Sequence, residues 1–115
     1  MTTQATPMMI DDWKKSVTFN DHGPSVTSLM ETGHLKAILV GLRAHQAIPV
    51  HPSPEAIYLF LQGTGTMTVD DESYTVRPGV TVVVPDGSRR GIAAETDIVF
   101  IGATRPPDPD QSRER

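Results

Sequence analysis

From about residue 26 onward, short apolar runs alternate with clusters of turn-forming residues. Residues 35–42 are rich in residues that favour strands, and residues 44–47 read as a turn. Residues 48–51 form a brief extended piece, cut off by Pro52 and Pro54, which forbid a helix there. Residues 56–61 predict a strong strand that ends at Gly63 and Gly65. Residues 66–69 and 73–76 flank Asp70-Asp71-Glu72, the composition of a hairpin turn. Arg77-Pro78-Gly79 marks a second turn and Pro85-Asp86-Gly87 a third, with the almost purely β-branched residues 80–84 between them. Residues 98–102 form the last strand. The one helical stretch, residues 10–15, is too brief to be stable alone. Short strands punctuated by turns, with almost no helix, predict an all-β sandwich or barrel.

A chain of 115 residues makes one domain with a modest core. The pattern divides it into an N-terminal arm, partly ordered, at residues 1–25, a barrel at residues 26–104, and a disordered tail at residues 105–115. The tail is rich in proline and charge and cannot bury enough apolar surface to offset its ordering entropy.

Aromatic residues make up only 5% of the chain, which argues against a large flat aromatic binding face. The net charge of −4 comes with scattered lysines and arginines and no basic stripe, so nucleic acid is not an expected partner. The absence of cysteine excludes disulfides, thiolate nucleophiles and cysteine-based metal sites. No apolar run approaches the roughly 20 residues that span a bilayer, so no membrane partner is expected. Residues 1–12 lack the basic start and apolar core of a secretory signal, and the default expectation is a cytoplasmic protein.

Two stretches resemble the paired motifs of the cupin superfamily. The first, residues 41–65, contains Ile48-Pro49-Val50-His51 and then a strand closing on Gly63-Thr64-Gly65. In the second, residues 79–90, Gly79, Pro85, Gly87 and Arg90 follow the family's glycine–proline–glycine–histidine spacing, with arginine in the place of histidine. The resemblance covers roughly residues 35–103. It implies a double-stranded β-helix, or jelly-roll, barrel with a ligand site inside, reached from one open end.

The resemblance also implies where a metal would be held, and this chain departs from it. Cupin metal sites combine three histidines with one glutamate, a donor set suited to divalent transition metals. Aligned on its lead-in, His51 takes the first histidine position, Ser53 the second, Ala56 the glutamate position and Arg90 the third histidine. A second register places Pro49 and His51 at the first two positions and loses as many ligands. Glu55, turned inward by a bulge, would give His51 a partner, so His51 remains a candidate ligand for a divalent transition metal. His45 falls in the 44–47 turn, and His22 and His34 read as exposed loop residues. No cofactor is the leading expectation.

Arg90 inside a barrel keeps its proton and needs an accepting partner, either Glu55 or an anionic group on a bound molecule. Strand alternation puts Tyr58 and Phe60 on the same face as Ala56, with Ile57, Leu59 and Leu61 on the other. Tyr58, Arg90 and His51 are the candidate catalytic residues, Tyr58 as a general acid. Phe60, Met67 and Glu55 are candidate ligand contacts, and Val69, Val82 and Val84 complete an apolar lining. The leading function is small-molecule binding, extending to a metal-independent isomerase- or cyclase-like reaction on a carbonyl or carboxylate compound. Two alternatives stay open: a metal-dependent dioxygenase or isomerase built around His51, and a non-catalytic binding or sensing module. Whether the chain is an enzyme is left undecided. The apolar face of Ile57, Leu59 and Leu61, together with a strand over residues 25–30 of the kind family members exchange, predicts a homodimer.

Overall fold

The computed structural model describes residues 7–106. Residues 1–6 of the expected arm and residues 107–115 of the expected tail lie outside the described residues.

Among the described residues nine strands carry the fold: β1 (Ser25–Glu31), β2 (Lys36–Leu42), β3 (Ala47–Pro52), β4 (Ala56–Gln62), β5 (Gly65–Val69), β6 (Glu72–Val76), β7 (Thr81–Val84), β8 (Arg89–Ala94) and β9 (Ile98–Thr104). They form two antiparallel sheets, one in the order β1-β2-β9-β4-β7 and the other β3-β8-β5-β6. The architecture is all-β, as the turn spacing predicts, and is the jelly-roll that the family resemblance implies. The expected helix at residues 10–15 is instead a single 3-10 turn, Trp13–Lys15, capped by the Asp12 side chain on the Lys14 amide at 3.1 Å. Six residues are too few to propagate an α-helix.

β8 departs from the sequence reading, which assigned no strand there. Two arginines, a glycine and two alanines give Arg89–Ala94 little strand propensity. Neighbours on both sides override it: β3 and β5 both pair with β8. Prolines shape the edge beside it. β3 carries Pro49 and Pro52, which lack the N–H a central strand needs, and it stands at the rim of its sheet.

Alternation fills the space between the sheets. Val40, Leu42, Phe60, Met67, Val76, Val84, Ile98 and Phe100 are almost wholly buried there. The Phe100 ring stands at the centre, 5.5 Å from Phe60 and 5.6 Å from Tyr58, both in tilted contact. The outer face of the five-stranded sheet is treated in two ways. Over β2 and β9, Leu39 and Val99 are fully buried, and the arm lies against Gly41, which pairs with Val99. A Cβ at Gly41 would collide with the Thr18 carbonyl and press on the Phe19 ring, so the bare glycine lets the arm sit flush. Over β4 and β7 nothing among the described residues covers Ile57 (50% exposed), Leu59 (37%) and Val83 (70%). The strand expected for exchange, β1, pairs with β2 of its own chain.

Candidate functional site

Between the two sheets, on the side rimmed by β1 and β3, lies a pocket of about 180 Å³. Val26, Ile38, Val40, Ile48, Ile92 and Phe100 form its apolar walls, and His51, Tyr58, Arg90 and Gly91 complete it. Each strand contributes by the period-two rule: Tyr58 lies opposite Val82 and Gly102 in its ladders and is presented on the Ala56–Phe60 face. Among the described residues the Tyr58 hydroxyl has no hydrogen-bond partner, and it is not a buried, unsatisfied atom. It is therefore free to bond a ligand.

His51 sits at the rim and is exposed. Its Nδ1 lies 2.8 Å from the Pro49 carbonyl, an acceptor that requires the proton on Nδ1. The neutral ring then carries its lone pair on Nε2, where it accepts a hydrogen bond or a proton.

Arg90 is inside the barrel and only 1% exposed, while Arg89 is outside. Its guanidinium does not reach for Glu55 or stand open to the pocket. Nη1 donates to the Pro54 carbonyl at 2.8 Å, and Nη2 to the carbonyls of Ser53 at 2.8 Å and Ser88 at 2.9 Å. Nε donates to Ser88 at 3.3 Å, and Nη2 has a longer contact of 3.5 Å with Pro85. The sequence explains the cage. Pro52 and Pro54 bracket the loop in which the chain leaves β3 and crosses to β4 in the other sheet, and the loop carbonyls, outside any ladder, must find donors. The Ser53 carbonyl also accepts from the Gly87 amide at 3.0 Å, so Arg90 ties the β3–β4 loop to the β7–β8 turn. Freeing the guanidinium for a ligand means breaking several charge-assisted bonds, each worth about 1.5–3 kcal/mol.

The remaining expected contacts fall elsewhere. Glu55 is exposed and turned away from the barrel, its carboxylate 3.0 Å from Arg105, which also pairs with Asp86 at 3.0 Å. Its carboxyl is held below the ordinary value, first by a hydrogen bond from its own backbone and then by the Arg105 side chain. The Arg105 pKa is raised, chiefly by the same bond to Glu55. Arg105 is thus tied down, although the sequence reading placed it in the disordered tail. Phe60 and Met67 are fully buried in the core and do not line the pocket. Val69, Val82 and Val84 are core residues too. His22, His34 and His45 are all exposed, His45 in a turn with φ of 74°. The sequence reading missed Ile48, Ile92 and Phe100 as pocket walls. Alternation along the last strand could have given Phe100, whereas Ile92 lay in the unassigned β8.

The donor set does not suit a metal. Among the described residues no three histidine, aspartate or glutamate side chains converge. Of the four positions that the family resemblance assigns to ligands, Ser53 offers its carbonyl to Arg90, Ala56 has no donor atom, and Arg90 is itself a cation.

Residues 38–101, more than half of the chain, match the family described as Cupin domain, and the chain belongs to the cupin family. Solved structures agree in fold. A conserved protein of unknown function from Streptococcus pyogenes aligns over 92% of this chain and 94% of its own, with 23% identity and a TM-score of 0.79. TT1209 from Thermus thermophilus aligns over 87% of this chain and 100% of its own, with 22% identity and a TM-score of 0.78. A cupin superfamily protein from Desulfitobacterium hafniense aligns over 76% and 82%, with 18% identity and a TM-score of 0.71. No curated protein matches in sequence. No helix among the described residues is long and apolar enough to cross a membrane.

Proposed function

We propose that this cupin binds a small organic molecule in the pocket between its sheets, without a metal, using Tyr58 and His51 as the polar contacts. One observation carries the reading: an apolar pocket presents a hydroxyl with no partner among the described residues and an imidazole whose Nδ1 is engaged by the Pro49 carbonyl, which leaves Nε2 as the acceptor of the neutral ring. The same pair suits proton transfer on a carbonyl compound, with His51 Nε2 accepting a proton and the Tyr58 hydroxyl donating to the carbonyl oxygen. That chemistry is isomerase- or cyclase-like and moves only a proton. Screening a fragment library by amide chemical shifts tests the binding reading. Binders are expected to move the amides of Tyr58, Gly91, Ile92 and Phe100, and Tyr58→Phe is expected to weaken them. Binders that leave those amides still, or that ignore Tyr58→Phe, overturn it.

The protein is further proposed to act as a homodimer. Ile57 and Val83 are direct ladder partners, and with Leu59 they leave an apolar patch on the outer sheet face. A monomer by light scattering at micromolar concentration is the result that removes this proposal.

A further inference from the structure

Resting on the reading of this pocket as the ligand site, we propose that its ligand is a neutral ring compound carrying a hydroxyl or carbonyl group, and not a carboxylate. Size sets the first limit. The pocket holds about 180 Å³, and an apolar cavity of roughly 150 Å³ accommodates benzene, so about six to nine non-hydrogen atoms fit. The walls set the second: the side chains of Val26, Ile38, Val40, Ile48, Ile92 and Phe100 offer apolar contact, one of them an aromatic ring, and no hydrogen bonds.

Charge decides the third. A carboxylate brought out of water needs donors for both of its oxygens. Among the described residues Arg90 is the one lysine or arginine lining the pocket, and its Nε, Nη1 and Nη2 are directed at the carbonyls of Ser53, Pro54 and Ser88. With 1% of the residue exposed, the guanidinium offers a ligand almost no surface. What remains among the described side chains is one O–H from Tyr58 and the His51 ring, whose Nδ1–H is committed to the Pro49 carbonyl and whose neutral form accepts from a hydroxyl at Nε2. One acceptor for Tyr58 and one donor for His51 describe a neutral hydroxyl or carbonyl compound.

Phenol and benzoate are matched probes, since they share the ring and differ in charge. The full-length protein is titrated with each, at a pH where benzoate is ionised, while backbone amide shifts are followed. Phenol is expected to saturate the amides of Tyr58, Gly91, Ile92 and Phe100 in the millimolar range or tighter, with benzoate at least about tenfold weaker. Tyr58→Phe, which keeps the ring and the packing, is expected to weaken phenol severalfold. Ile38→Phe, which fills the pocket from β2, is expected to abolish the effect while leaving a dispersed spectrum. Benzoate binding at these amides as tightly as phenol overturns the neutral-ligand inference and leaves the pocket reading standing. If neither probe moves these amides, the pocket reading falls and this inference falls with it.

Discussion

His51 and Arg90 stand directly opposite one another in the β3–β8 ladder, yet one ring reaches solvent while the other's guanidinium is sealed. Opposed residues in an antiparallel pair share a face, so both point toward the space between the sheets. Length separates their fates. The short imidazole stays at the rim and turns back to the Pro49 carbonyl, and the long guanidinium reaches the loop carbonyls of Ser53, Pro54 and Ser88. The position that carries a fixed charge is therefore a clamp between two loops.

The clamp predicts a stability cost. Arg90→Ala leaves carbonyls of the β3–β4 loop and the β7–β8 turn without their donors and opens a void. With three short charge-assisted bonds lost, the expected loss is at least about 4 kcal/mol, read as a lower urea midpoint with an unchanged slope. Arg90→Lys keeps the charge but cannot span both loops with one ammonium, so an intermediate midpoint is expected. An unaltered midpoint for Arg90→Ala would show that the carbonyls are satisfied without it.

Tyr58 behaves in the opposite way. Its hydroxyl has no partner among the described residues, while its ring packs on Phe100 at 5.6 Å. Tyr58→Phe is expected to leave stability within about 0.5 kcal/mol. Phe100→Ala, which removes the ring that Tyr58 and Phe60 both contact, is expected to cost about 3–5 kcal/mol. Similar melting curves for the two variants would contradict the central place of Phe100.

How much of this was legible in the sequence follows from which forces are local. The turns at Gly63, Gly79 and Gly87 all take positive φ; these glycines marked strand ends in the sequence and, with Pro85 and the lead-in at residues 48–51, carried the resemblance to the family. Alternation along β4 correctly separated Phe60 from Ile57 and Leu59. β8 was invisible because its pairing comes from β3 and β5, both distant in sequence. The partner of Arg90 was invisible for a related reason. Backbone carbonyls carry no residue-specific signal, so a charge search pointed to Glu55, which instead pairs with Arg105 across the surface.

The Glu55–Arg105 pair predicts a weak acid dependence. The folded pKa of Glu55 is depressed, so its contribution is present above the unfolded value and is lost as pH falls through the folded one. Both groups are exposed, and the effect is expected to be small and to shrink further in salt. The difference in melting temperature between the parent and Glu55→Gln should be positive near neutrality and vanish in strong acid. A difference that grows on acidification reverses the assigned sign.

The outer sheet face supplies the last prediction. The arm lies against Gly41 on the outer face of β2, where Leu39 and Val99 are buried, whereas Ile57 and Val83 on β4 and the edge strand β7 stay exposed among the described residues. An uncovered β-branched pair at a sheet edge is a place where a second copy can bury apolar surface or extend the ladder. If the proposed dimer uses this face, Val83→Lys places a charge at its centre while leaving the core untouched, because Val83 points away from Val82 and Val84. The expected outcome is a shift from dimer to monomer by light scattering, with the circular dichroism spectrum retained. A dimer that survives both Val83→Lys and Ile57→Lys must be built on another surface.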